Sequence, residues 1–300
     1  LYLAAWRHGI PLVITGLEDR LQGAWTPEGF IKDYGTKMVR LVNTKTNEIS
    51  EKTSTVERFF ELFGNYTHPN HTDLKLKDWP PTTSFEKELP ERYKILVSAV
   101  VLGHWLRPDA PLNIIAFFAL NALTPDIGPK TYSALAIKEG AQHAVTYLHT
   151  DRCCAWNIMV YSELCRDGSP GKARWDIVDP KDADRLRDIA LLQKWYTGQF
   201  DIIHSQDFYL SPMMVDELRA AGIRVSTIFQ HVGDMVLIPA AAPHQVTNLS
   251  DATKIACDNV HPLRLHAMAK IADELRAHRL RTGEGDDVLN LPQVLWWAWV

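Results

Sequence analysis

The tripeptide His149-Thr150-Asp151 sets an imidazole and a carboxylate two residues apart. On a β-strand, residues i and i+2 point to the same face, so the pair would aim at one point. That combination supplies two ligands of a 2-His-1-carboxylate facial triad, which holds non-haem Fe(II) and leaves positions open for a cosubstrate and dioxygen. H-x-D is common by chance, so a third ligand is the test. In Gly233-Asp234-Met235-Val236-Leu237-Ile238-Pro239-Ala240-Ala241-Ala242-Pro243-His244-Gln245-Val246 a Gly-Asp turn leads into an apolar strand and a small-residue bend. His244 then opens the next strand, and the bend can return it over the mouth of a barrel. The plainer reading of His244 is a buried histidine satisfying a hydrogen bond; two such motifs on predicted strands weigh against it. The remaining ten histidines lack this context. His68, His71, His261, His266 and His278 read as surface or packing residues, and His143 as a neighbour of the site without a ligand role.

The elements that must position these groups are short strands, read at residues 145–149, 157–161, 174–178, 235–239, 245–248 and 254–259. Between the third and fourth lies a helical insert, about 180–221, rich in Asp, Arg and Leu. Upstream, residues 9–16 read as a buried strand between turn residues. Thr26-Pro27 caps a helix running to about Asp33, and residues 55–63 carry Val56, Phe59, Phe60 and Phe63 at helical spacing. The stretch 65–83 reads as a proline-punctuated loop with Leu74 and Leu76 in a short strand, and an apolar helix extends from Pro90 to about Trp105. Residues 262–281 form a strongly periodic helix, and 292–300 a short apolar one. The pattern predicts a mainly β protein with α additions, a small barrel wrapped by helices. No linker divides it, so residues 1–300 read as a single domain. Its parts are an N-terminal helical or mixed part (1–140), a barrel with the insert (141–260) and C-terminal helices (261–300).

Three hundred residues, 46% of them hydrophobic, provide for a substantial core. The net charge of -4 gives no global positive field for nucleic acid, though an acidic surface would suit a basic partner. Cys153, Cys154, Cys165 and Cys257 form no C-x-x-C pair, which points to a reducing compartment. No secretory signal pattern opens the chain. The longest apolar stretches, 95–102 and 114–120, are too short for a membrane span. A chain beginning at Leu1 reads as a fragment of a longer protein.

Several further stretches carry a resemblance. Trp79-Pro80-Pro81 follows Leu74-Lys75-Leu76-Lys77-Asp78, and Pro125-Asp126-Ile127-Gly128-Pro129-Lys130-Thr131-Tyr132 comes next. With Leu148-His149-Thr150-Asp151, Asn157-Ile158-Met159-Val160-Tyr161 and residues 233–249, they resemble the JmjC histone demethylases that act on lysine 9 of histone H3. Residues 6–16, Leu41-Val42-Asn43 and Asn47-Glu48-Ile49 extend the likeness, which runs with gaps from about Trp6 to about Arg281.

The resemblance implies a double-stranded β-helix, a cupin-like barrel. His149, Asp151 and His244 would bind Fe(II), with 2-oxoglutarate as cosubstrate and O2 as oxidant. An N-methyl group would be hydroxylated and lost as formaldehyde, with mono- and dimethyl-lysine favoured. The histone H3 tail or another methyl-lysine protein, chromatin and a nuclear location follow from it, with no membrane and no direct sequence-specific nucleic-acid binding. For the remote carboxylate of 2-oxoglutarate, costly to bury unpaired, it points to the Thr146 hydroxyl, the Asn157 amide and a cation. Ala173 stands where many of these enzymes carry a lysine two residues before an aromatic, here Trp175. Lys172 is one step off and faces the other way, whereas Lys254, ten residues after His244 on the last barrel strand, matches a lysine of the resembled group; the plainer reading of Lys254 is a solvated strand-end lysine.

The chain departs from the family pattern at Cys153-Cys154-Ala155-Trp156, at Leu135 and Ala136 in place of an aromatic and a glycine, and at Cys257 in place of a glutamate. Leu135 and Ala136 would lie near the methyl-lysine entrance, and oxidation at Cys153 and Cys154 would disturb the site. A cysteine-rich zinc module upstream of the family's catalytic region has no counterpart here. Three other readings stay open: a protein hydroxylase of the same chemistry, a catalytically weak chromatin-binding module, and a cupin isomerase or binding protein.

Overall fold

Short strands, several of them buried on both faces, pair into two antiparallel sheets in the computed structural model, which describes residues 1–23, 25–119, 122–283 and 285–300. The strands are β1 (Leu12–Ile14), β2 (Met38–Asn43), β3 (Ile49–Thr55), β4 (Leu74–Trp79), β5 (Lys130–Ala134) and β6 (Thr146–His149). They continue as β7 (Cys154–Ser162), β8 (Ala173–Val178), β9 (Val225–Gln230), β10 (Met235–Ile238), β11 (His244–Asn248) and β12 (Ala252–Asn259). The larger sheet runs β1-β10-β7-β12-β5-β4-β2-β3 and the smaller β6-β11-β8-β9.

Period-2 alternation assigns each strand an inner and an outer face. On β7 and β10 the inner residues Ala155, Met159, Val236 and Ile238 pack with Trp175, Ile177 and Val246 of the smaller sheet, filling the space between the sheets. The outer residues Cys154, Trp156, Ile158, Met235 and Leu237 belong to a second core, with Trp6, Phe30, Phe59, Met268 and Val294 from the flanking segments. Leu148, Val178 and Val225, on the outer face of the smaller sheet, pack against Leu186, Val215 and Leu218 of the insert. A facing pair of sheets with helices on both outer faces is the double-stranded β-helix with helical additions that the family resemblance implies.

Local chemistry explains most boundaries. The Thr26 hydroxyl accepts from Gly29 N–H at the start of helix Pro27–Tyr34, and Thr55 does the same for Arg58 at helix Val56–Phe60. The first of two C-terminal helices, Leu265–Thr282, ends at Gly283, whose φ of 71° needs the left-handed region, and Leu291–Trp299 follows.

Some expectations are corrected. The helix read from Pro90 to Trp105 is two, Pro90–Ala99 and Gly103–Leu106, broken where Leu102 takes φ 57°. The insert is two helices, Ala183–Leu192 and Pro212–Ala220, separated by an irregular stretch, and β9 follows it. In the stretch 65–83 the short strand expected at Leu74 and Leu76 is present and runs on to Trp79 as β4. Strands β2 to β5 extend the larger sheet beyond β12, so the first 140 residues share a sheet with the barrel. Of the apolar stretch 114–120, Ile114–Phe117 is a 3-10 helix, and Leu120 lies outside the described residues. Among the described residues no helix is long and apolar enough to cross a membrane.

Candidate active site

His149 ends β6 and His244 opens β11, and the ladder pairs them directly. Their ring centroids are 4.3 Å apart. Asp151 lies just past the end of β6, with its two carboxylate oxygens 3.4 Å from His149 Nε2 and 3.6 Å from His244 Nε2. His149 Nδ1 is 2.8 Å from the Tyr147 carbonyl and His244 Nδ1 is 3.0 Å from the Ala242 carbonyl. A proton on each Nδ1 makes those bonds and leaves both Nε2 lone pairs facing the carboxylate, the arrangement that fixes ligating imidazoles. One ligand atom from each of the three lies within 4.8 Å of the others. Two imidazoles and one carboxylate converging this way fit a non-haem Fe(II) ion with coordination positions to spare.

The bend before His244 turns through Ala241 at φ 68°. Cys154 supports it from β7, its Sγ accepting from Ala240 N–H at 3.4 Å. Burial and His149 lower the His244 pKa to about 4. Burial opposes charge on Asp151, but His244 and His149 hold it down to about 2. The resting site therefore presents a neutral His244 and an ionised carboxylate, the forms in which both can ligate.

The triad opens into a cavity of about 240 Å³ between the sheets. Thr146, Asn157 and Lys254 line it too. An offset of three on a regular strand would turn Thr146 away from His149. A bulge corrects this: His149 pairs with His244 and Thr146 with Val246, so three residues of β6 span two of β11. Asn157 is held by Gln230, whose side-chain amide donates to the Asn157 carbonyl at 2.9 Å and to its Oδ1 at 3.3 Å. Its own Nδ2 is then the group left to donate. Lys254 is 5% exposed; Nζ donates to Asn248 Oδ1 at 2.6 Å and sits 5.7 Å from the Trp175 ring centroid. Burial lowers its pKa to about 7, and no carboxylate pairs with it among the described ion pairs. A buried amine facing a cavity without a counter-ion is what a small carboxylate ligand requires. Lys172, by contrast, stands 5.8 Å from the ring centroid of Phe229, away from the cavity lining.

The other end of the cavity is acidic. Asp258 lines it, as do Asp78 and Tyr132, whose hydroxyl donates to Asp78 at 2.7 Å. Asp78, Asp151 and Asp258 also face an adjoining cavity of about 330 Å³, which Leu275 and Leu289 bound. Asp258 has no cationic side chain in ion-pair range among the described residues. Burial and the Asp151 carboxylate push its pKa up to about 8.

The departures from the family pattern fall mostly off the cavity. Leu135 is 1% exposed in the outer core, and Ala136 is buried with its N–H donating to Asp251. Cys257 points outward from β12 into the helix-covered core. Cys153 and Ala155 are the exceptions, Cys153 lining the adjoining cavity beside Asp258 and Ala155 lining the main one. Burial raises both the Cys153 and Cys154 thiols, Cys154 to about 12, which suits packing over redox chemistry.

Sequence reasoning missed Asp258, Gln230 and Lys75. Asp258 was legible as the residue two positions beyond Ala256 on the face of Lys254; Gln230 sits on a strand that was not predicted. Lys75 reads as a solvent-facing residue of an alternating Leu-Lys-Leu-Lys run, yet it is 6% exposed and lines the cavity.

Residues 140–258 match the protein family described as JmjC domain, hydroxylase. Over 99% of its length the chain is 31% identical to the lysine-specific demethylase 3A of Mus musculus, covering 26% of that protein. It is 29% identical to the lysine-specific demethylase 3 of Drosophila melanogaster, of which it covers 40%. It is 27% identical to the human probable JmjC domain-containing histone demethylation protein 2C, of which it covers 13%. The chain thus spans about a quarter of the length of the mouse relative and less of some others.

Proposed function

We propose that this chain, whose residues 140–258 match the JmjC domain family, is an Fe(II)- and 2-oxoglutarate-dependent dioxygenase that demethylates N-methyl-lysine on histone H3, with lysine 9 as the site. The relatives' names support a lysine demethylase. The observation that carries the reading past hydroxylation of a neutral side chain is Asp258, a cavity carboxylate beside the triad with no cation of its own.

In this reading His149, Asp151 and His244 hold the metal, and Thr146, Asn157 and Lys254 receive the remote carboxylate of 2-oxoglutarate. With its cosubstrate and dioxygen, the bound iron supplies the oxidising power to hydroxylate an N-methyl carbon, and the product decays to formaldehyde and the less methylated amine. The protein's own part is positioning. Tyr147 and Ala242 carbonyls fix the two imidazoles, and Gln230 fixes Asn157. Trp175, its ring centroid 5.7 Å from Lys254 Nζ, forms an aromatic wall at that end of the cavity. Asp258, held largely protonated by burial and Asp151 while the cavity is empty, ionises beside a methylated ammonium and, with Asp78 and the Tyr132 hydroxyl, lines its approach to the metal. A basic histone tail suits that approach, so chromatin is the partner and the nucleus the compartment in this account.

The test is a panel of histone H3 peptides carrying mono-, di- or trimethyl-lysine at position 9 or at other positions, assayed for formaldehyde. Release restricted to the lower methyl states of lysine 9 is expected. Equal release from every position would overturn the site assignment, and a stable hydroxylated product without formaldehyde would overturn demethylation.

A further inference from the structure

Lys254 is one of two buried lysines in the cavity. The second is Lys75, on β4, in the part of the chain that precedes the residues matching the JmjC family. Its Nζ donates to the Val145 carbonyl at 2.7 Å and to Asn47 Oδ1 at 3.2 Å, both neutral acceptors. No carboxylate pairs with it among the described ion pairs. A lysine needing only those two acceptors could have been exposed, since Lys snorkels readily. Burying an ammonium without a counter-charge is costly unless a ligand supplies one.

The register fixes which end of the cavity Lys75 serves. Lys75 pairs with Ala134 on β5, and Ala134 pairs with Ala252 on β12. Residues directly opposite in antiparallel strands share a face, so Lys75 stands in the row of Ala252 on the cavity side. Lys254 is two residues from Ala252, and Asp258 is four residues farther along in the same direction. Along the strands Lys75 is therefore nearer Lys254 than Asp258. Its contact with the Val145 carbonyl brings Nζ beside Thr146, the first residue of β6.

We propose that Lys75 is a second cation for the remote carboxylate of the cosubstrate, so that Lys254 from the barrel and Lys75 from the preceding segment hold that group between them. The inference rests on the 2-oxoglutarate reading above. It makes β4 part of the cosubstrate site, and the barrel residues alone would then form an incomplete one.

The test is binding without turnover. Affinity of the full chain for 2-oxoglutarate, and for 2-oxovalerate, whose tail lacks the remote carboxylate, is measured by calorimetry under anaerobic conditions with Mn(II) in place of iron. Lys75→Gln keeps hydrogen-bonding capacity and removes the charge, while Lys75→Arg keeps the charge. Loss of a buried charged hydrogen bond should weaken 2-oxoglutarate binding by roughly tenfold or more in Lys75→Gln. Affinity for 2-oxovalerate and for Mn(II) should not change, which separates loss of a contact from loss of the fold, and Lys75→Arg should recover most of the affinity. Equal loss for both oxoacids, or wild-type affinity for 2-oxoglutarate in Lys75→Gln, would overturn the inference while leaving the cosubstrate reading intact. Failure of the wild type to bind 2-oxoglutarate would overturn both.

Discussion

Lys254 and Asp258 lie on the same face of β12, four residues apart, with Ala256 between them on the cavity wall. At the rise of an antiparallel strand that separates their backbones by roughly 13 Å. One strand thus gives the cavity a cationic end for an anionic cosubstrate and, at Asp258, a carboxyl that ionises when a cationic substrate arrives.

That separation predicts opposite phenotypes. Asp258→Asn should raise KM for a methylated peptide or lower kcat/KM by roughly tenfold or more, while affinity for 2-oxoglutarate holds. Lys254→Met should weaken 2-oxoglutarate by a similar factor and leave peptide binding alone. Steady-state kinetics varying each substrate separately would check both, and a shared loss of both affinities in either variant would contradict the division.

The buried amine of Lys254 gives the cosubstrate site a pH dependence. Burial lowers its pKa from 10.5 to about 7. The ammonium fraction in the empty cavity therefore falls as pH rises through about 7, and affinity for 2-oxoglutarate should fall with it. Lys254→Arg should flatten the profile, because a guanidinium stays protonated. The same shift acts on stability with the opposite sense. The folded state carries the full cost of the buried charge below about pH 7, and that cost is relieved between about 7 and 10.5, where the unfolded chain binds the proton and the folded chain does not. Calorimetric affinity and melting temperature from pH 6 to 9 would show both trends.

The bend that delivers His244 depends on a left-handed alanine, Ala241 at φ 68°. A β-branched residue tolerates that region poorly, so Ala241→Val should cost about 1–3 kcal/mol of stability and weaken Mn(II) binding. Ala241→Gly should be neutral or stabilising within about 1 kcal/mol. Denaturant titrations of the two variants should therefore bracket the wild type.

The insert is tied to the C-terminal helix by Glu274. Its carboxylate accepts from His204 and Arg187, at 3.0 and 2.9 Å, and these lower its pKa to about 2 against the opposing effect of burial. A depressed carboxylate contributes stability that is present above its ordinary value of 4.5 and lost as pH falls toward about 2. Glu274→Gln should therefore be less stable than wild type at neutral pH, with the gap closing in acid. A gap independent of pH would contradict the assignment.

How much of this was legible in the sequence follows from which residues act through local spacing. His149, Asp151 and His244 were readable because a strand and a short bend fix their direction. Thr146 reached the cavity through a bulge, which the sequence does not announce. Asp258 could have been found from the parity of Lys254 on one strand. Lys75 could not, because its burial depends on β4 joining β12 through β5, a pairing between distant segments. Leu135 looked like a change to the substrate entrance and is instead an outer-face core residue, and Cys257, which stands where the family has a glutamate, is also in that outer core.

The most direct test of the account couples two products of one reaction: formaldehyde and succinate released from a dimethyl-lysine-9 histone H3 peptide with Fe(II), 2-oxoglutarate and oxygen, for wild type and His149→Ala. The account predicts equal amounts of the two products from the wild type and neither from the variant. Succinate without formaldehyde, or formaldehyde that survives His149→Ala, would contradict it.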